Sequence, residues 1–298
     1  MSDPLHPRHE LQSAYFVQDR SNQEEMTRLQ VQDHLLTALM GGVLPEQSDP
    51  SRFERMLDVG CGAGSWLIET AQAYPGIRTL IGVDSNLRMV EYAREQARLH
   101  QVGDRVEFHV MDALRMLEFP NAFFDLVNHR LGMGWVRQWE WPKLLSEYQR
   151  VSRRAGIIRL TESEFFVESS SPALLRLNQL CLHVLYQAGN VFTLQPDGLT
   201  SQLAPLLQQY AGIRDVQTHA HTVPYRAGTP EWQSFYEDVR LIFRTLVPFF
   251  RRWTKVPDDY EEIYQQMLTE MQQPDFVATW HLLTAWGSRK GRFIKLSQ

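Results

Sequence analysis

Cysteine is scarce. Only Cys61 and Cys181 occur in 298 residues, too few for a disulfide framework, and no CxxC pair stands ready for zinc. Basic charge is not in excess either. Thirty Lys and Arg against 35 Asp and Glu leave a formal net charge of −5, with no basic excess to hold a phosphate backbone, and no nucleic-acid partner is expected. No run approaches the roughly 18 uncharged apolar residues of a membrane span. The apolar stretch Leu241–Phe250 is interrupted by Arg244 and closed by Arg251 and Arg252. The leader MSDPLHPRHE lacks the apolar segment of a signal peptide, and repeats and low-complexity tracts are absent. These absences predict a soluble, cytoplasmic protein. With 43% hydrophobic residues, the length suits one large domain, or one domain carrying a sizeable insertion.

What is present is an alternation of short apolar runs and amphipathic helices. RMLDVG (55–60), TLIGVD (79–84), VEFHVMD (106–112), FDLVNHR (124–130) and GIIRLTES (156–163) read as strands. Helices are predicted over 65–74, 87–100 and 141–154. Strands separated by helices imply right-handed crossovers and a doubly wound α/β sheet. After Ser171 the pattern turns helical: Pro172 opens one helix, Asp197 is placed to cap a second near 197–211, and Thr229-Pro230 and Val256-Pro257 open two more across 229–273. Strands at 216–225 and 276–287 then complete a seven-stranded, mostly parallel, Rossmann-like sheet with an antiparallel edge hairpin. The predicted organisation is an N-terminal helical segment (1–51) closing the site, a core of 52–171, 212–225 and 276–298, and helical cap insertions at 172–211 and 226–275. An insertion that long is usually functional.

The sharpest local signal is Leu57-Asp58-Val59-Gly60-Cys61-Gly62-Ala63-Gly64, a glycine turn that follows a strand and opens a helix. Glycines let backbone approach a ligand closely, and the helix N-terminus offers unpaired N–H groups. The spacing is GxGxG rather than the GxGxxG of dinucleotide binders. Asp84 and Asp112 end the second and third strands, where ligands of open α/β sheets bind. A carboxylate at the second tip can accept both hydroxyls of a ribose, and one at the third can accept an amino group of adenine.

On these residues the sequence resembles the class I S-adenosylmethionine-dependent methyltransferases over about residues 52–165. LDVGCGAG resembles their first motif, VDSN the segment with the ribose-binding acid, and VMDAL the adenine-binding turn; EYQRVSRRAGIIRLTE is similar to the helix–turn–strand that follows the fourth strand. The departure is Arg153-Arg154-Ala155-Gly156, where Pro-Gly-Gly is usual. The resemblance implies S-adenosyl-L-methionine as cofactor and S-adenosyl-L-homocysteine as product. It puts Gly60, Cys61, Gly62 and Gly64 around the methionine moiety and Asp58 behind that loop. Asp84 and Ser85 fall at the ribose, Met89, Asp112 and Ala113 at the adenine, and Asn128 near the methionine end. An N-terminal helix that closes the site implies contributions from Arg28 and Gln32, four residues apart on one face, and from Tyr15.

The acceptor is expected beyond the fourth and fifth strand tips. His129 is the candidate general base, although a sulfonium methyl needs none if the acceptor is already nucleophilic. Trp135, Trp139 and Trp141 follow the fourth strand and suit a flat or apolar acceptor. His219 and His221 share a strand face without a supporting ligand cluster, so no metal is expected. The leading expectation is methyl transfer to a small, aromatic or apolar organic molecule, with the methylated atom open among O, N and C. The alternatives are a non-catalytic cofactor-binding module and a methyltransferase of RNA or protein.

Overall fold

The computed structural model describes residues 23–164 and 168–288, with the side chains of 23–29 and 31 outside the described set. Helix α1 (Gln23–Leu39) leads, stopped by Gly41 and Gly42 at φ +91° and +115°. Then follow β1 (Arg55–Val59), α2 (Ser65–Ala73), β2 (Thr79–Asp84), α3 (Leu87–Leu99), β3 (Val106–Val110) and β4 (Phe124–Arg130). Next come α4 (Trp141–Val151), β5 (Ser152–Ser163), β6 (Glu168–Ser169), α5 (Pro172–Gln187) and α6 (Leu203–Tyr210). β7 (Gln217–Arg226), α7 (Pro230–Thr245), α8 (Val247–Trp253), α9 (Tyr260–Glu270) and β8 (Val277–Ser288) complete the described chain.

The sheet runs β3-β2-β1-β4-β5-β8, parallel as far as β5. β8 is antiparallel to β5, carries β7 along its other edge, and pairs the short β6 at Ala278 and Thr279 on the same edge as β5. The strands from β1 to β5 lie near their expected positions because both faces of the sheet are covered: Leu57, Val59, Val127 and Leu160 sit under one layer, and Met56, Leu80, Leu126 and Trp66 under the other, all at 1% exposure or less. Burying each such side chain fully is worth about 1.5–3 kcal/mol.

Four features differ from expectation. The described sheet has eight strands rather than seven, because the two-residue β6 adds to β8 through Glu168 and Ser169, too short a segment to show periodicity. Asp197 caps no helix: its carbonyl accepts from Ser201 N–H, and α6 starts only at Leu203. The 229–273 segment holds three helices, since Pro248 in the first turn of α8 has no N–H to continue α7. β3 stops at Val110, so Asp112 stands two residues beyond its tip. The helix starts at Pro172 and Thr229-Pro230 are as read, and Ser171 and Thr229 cap them, accepting from Leu174 and Trp232 N–H at 3.1 and 3.2 Å. The Arg153–Gly156 departure is a local irregularity, with Ala155 at φ +62° and a register shift between Phe124 and Leu126.

Candidate active site

The glycine turn lies between the end of β1 and the start of α2. Gly60 and Cys61 N–H both donate to Val83 O, at 2.8 and 3.0 Å, which fixes the turn across the tip of β2. Gly60, Gly62 and Gly64 all have positive φ, and two of them are crowded as well. A Cβ on Gly64 would lie 2.5 Å from Phe108 Cζ and 2.9 Å from Ala93 Cβ; one on Gly60 would lie 3.1 Å from Trp135 Cζ2. Around Gly62 there is nothing within 4 Å of such an atom, so this glycine faces open space.

Asp84, at the end of β2, ties the turn to the next helix. Its Oδ2 accepts from Gly62 N–H at 3.1 Å and its Oδ1 from Asn86 N–H at 2.9 Å. Asn86 in turn caps α3 through Arg88 and Met89 N–H. Asp112 accepts from Leu114 N–H at 3.0 Å and pairs with Arg115 at 3.4 Å. Ser85 is exposed, Ala113 is buried, and Met89 is fully buried in the first turn of α3. The glycine turn, Asp84 and Asp112 thus line adjacent strand ends, with α1 packed on α2 beside them. Gln32 is half-buried on α1; Tyr15 and the side chain of Arg28 lie outside the described residues.

Asp58 is buried behind the turn. Asn128 Nδ2 donates to it at 2.8 Å, Arg159 Nη1 donates to Asn128 Oδ1 at 2.8 Å, and Arg159 Nε donates to Glu46 at 2.8 Å. Burial pushes the Asp58 carboxyl up to about 7, aided by the charge of Asp84 and opposed by Asn128 and Arg159. Asn128 therefore spends its side chain on Asp58. Burial and the carboxylates of Asp84 and Asp58 push the Cys61 thiol well up, which leaves it no thiolate character.

His129 faces the opposite side of β4 and is fully buried. Its Nδ1 lies 2.7 Å from Tyr148 Oη and its Nε2 3.1 Å from Glu162 Oε1. Burial holds the Tyr148 hydroxyl protonated, so a neutral hydroxyl faces Nδ1 and the Glu162 carboxyl faces Nε2. Glu162 also accepts from Gly132 and Met133 N–H, at 2.7 and 3.2 Å. Both ring nitrogens are thus engaged in pinning the loop that follows β4. Trp141 is buried beside His129, Trp139 is 62% exposed, and Trp135 lies between Gly60 and His129 with ring centroids 5.2 Å apart from the latter.

Two functional candidates had little signal in the sequence. Ser65, the first residue of α2, is buried with no hydrogen-bond partner for its Oγ among the described residues. An arginine inside the apolar run GIIRLTE was the visible flag for the Glu46–Arg159–Asn128–Asp58 chain, but its partner lies 113 residues away.

Comparison with known proteins bears on the domain and its fold. Residues 56–156 match the family model of a methyltransferase domain. Methyltransferase pytC of Aspergillus terreus is 24% identical over 207 residues, 68% of this chain and 59% of its own length. The 27-O-demethylrifamycin SV methyltransferase of Amycolatopsis mediterranei is 35% identical over 104 residues, 35% of this chain and 36% of its own. Both alignments span less than two thirds of those relatives. Among solved structures, phosphoethanolamine N-methyltransferase 2 of Haemonchus contortus, in complex with S-adenosyl-L-methionine, shares the fold with a TM-score of 0.55 at 17% identity, over 95% of this chain and 61% of that one. The family-model match spans about a third of the chain, the relatives are methyltransferases, and the solved structure shares the fold.

Proposed function

We propose that this protein transfers the methyl group of S-adenosyl-L-methionine to a small organic acceptor. The observation that carries the reading is the glycine turn held by Asp84, with Gly62 facing open space and Asp112 beyond the next strand. The residues fit the cofactor on a structural ground too: Ser65 Oγ is an orphaned buried hydroxyl at the N-terminus of α2, beside the turn. Such a terminus favours an anionic group.

When bound, the cofactor supplies an electrophilic methyl on a sulfonium. The chain then has to bind, orient and keep water out. The Asp84 carboxylate is placed to accept from ribose hydroxyls, and that of Asp112 from an exocyclic amine. Gly60 lets Trp135 close on the turn, which makes this indole the wall of the transfer site nearest the glycines. An aromatic wall there suits a flat or apolar acceptor. His129 positions this wall through Glu162 and the Gly132-Met133 backbone, rather than taking a proton from the acceptor. We assign the acceptor cap to α5 and α7–α9, which pack on one another, while α6 lies against α4 and β8 as part of the sheet's cover.

The test is calorimetric titration with S-adenosyl-L-methionine, S-adenosyl-L-homocysteine and NAD, followed by transfer of labelled methyl to small-molecule and macromolecular fractions. Binding of the first two, with label in small molecules, is expected. Binding of NAD alone, or label confined to RNA or protein, would overturn the reading.

A further inference from the structure

Arg130 is the last residue of β4, and its side chain turns toward α1. Nη1 donates to Thr37 Oγ1 at 3.0 Å and Nη2 to the Asp33 carboxylate. Its guanidinium carbon lies 6.0 Å from the ring of Trp66, the second residue of α2. Arg130 therefore stands where the β4 tip, the first turn of α2 and the inner face of α1 meet. The orphaned Ser65 Oγ belongs to that same turn of α2. Burial and the charge of Arg159 both push the guanidinium down, so an anion must accompany it. Asp33 is that anion here, and at 24% side-chain exposure it is more open to solvent than Arg130 at 10%.

The amino-acid end of the cofactor carries a carboxylate of the same charge and the same bidentate shape. We propose that Arg130 is the receptor for that carboxylate and that Asp33 is its resident competitor, displaced when the cofactor binds. This rests on the methyltransferase reading above. One carboxylate replaces another, so the charge beside Arg130 is conserved. Helix α1 keeps its other ties: Tyr92 Oη donates to Gln30 at 2.6 Å, and His34 meets Glu69 at 2.9 Å. Cofactor entry thus releases one tether of α1 without detaching the helix.

The experiment compares calorimetric affinities for S-adenosyl-L-homocysteine and for 5′-methylthioadenosine, which lacks the amino-acid end. The proteins are the wild type, Arg130→Gln, Arg130→Lys and Asp33→Asn. Arg130→Gln is expected to weaken S-adenosyl-L-homocysteine by about tenfold or more. Arg130→Lys, which keeps the charge without the fork, weakens it less. Asp33→Asn tightens it a few-fold, because the competitor has lost its charge. Methylthioadenosine binds all four proteins alike. Equal losses for both ligands would make Arg130 a fold-holding residue and overturn the proposal, as would unchanged S-adenosyl-L-homocysteine affinity in Arg130→Gln. Failure of Asp33→Asn to tighten binding removes the competition. If Arg130→Gln does not fold, the Lys and Asn variants decide by the same ratio. A wild type that binds neither ligand would defeat the methyltransferase reading itself, a result distinct from every variant effect.

Discussion

Asp84 serves two purposes with one carboxylate: it fixes the glycine turn through Gly62 and opens α3 through Asn86. Asp84→Ala is expected to weaken S-adenosyl-L-homocysteine by about 1.5–3 kcal/mol, the worth of hydrogen bonds to a charged group. Unchanged affinity in a folded variant would take Asp84 out of the ribose role. Asp58 makes a pH prediction. Its folded carboxyl titrates near 7 against an ordinary 3.8, so between those values the native state holds a proton that the unfolded chain has lost. Its contribution to stability therefore falls as pH rises from about 4 to about 7, with a limiting slope of about 1.4 kcal/mol per pH unit, and levels off above. Asp58→Asn removes that decline. Urea unfolding across this window should show the variant gaining on the wild type as pH rises; parallel curves would refute it. His129 shows what one sequence position conceals. The residue type was readable as a base, but its two partners come from α4 and β5, and only the assembled sheet reveals that both nitrogens are taken.

At the scale of elements, the turn between β1 and α2 depends on β3. Phe108 lies so close under Gly64 that any side chain there must displace its ring, and φ at +79° adds backbone strain. Gly64→Ala should cost about 1–2 kcal/mol for the left-handed backbone, and about 1–3 kcal/mol more for the overlap. Shortening the ring in the double variant with Phe108→Leu should recover only part of the overlap cost, measured by the denaturation midpoint, because Ala93 Cβ still lies 2.9 Å away. Legibility followed the same lines. β4 and β2 were readable to the residue because both faces of the sheet are buried and their ends carry charge. The helix starts at Pro172 and Thr229-Pro230 were readable because a proline in the first turn is local chemistry. Asp197 looked equally suited, yet the chain takes a short 3-10 turn at Thr200–Gln202 before α6, a choice made by packing rather than by the cap. β6 lacked any signal because two residues have no period.

For the molecule as a whole, the Glu46–Arg159 pair joins the segment after α1 to the middle of the sheet, with both side chains 1% exposed. Removing one partner leaves a buried charge uncompensated, so Arg159→Met should lower stability by about 3–5 kcal/mol, read from chemical denaturation. A loss below 1 kcal/mol would mean that solvent reaches the site. Sequence order carried the overall architecture well, since each β-helix-β unit pairs with near neighbours. It carried the polar interior poorly, because Glu46, Arg159, Asn128 and Asp58 come from four separate segments.

The placement of β8 has a consequence for how the chain is made. β8 fills the gap between β5 and β7, yet it is synthesised on the order of a hundred residues after β5. At usual elongation rates of about 5–20 residues per second, β5 waits on the ribosome for several seconds with its free edge bare. An unpaired apolar edge invites pairing with another chain. The nascent protein therefore passes through an interval of aggregation risk that ends only when β8 emerges, and chaperone demand during translation should be concentrated there.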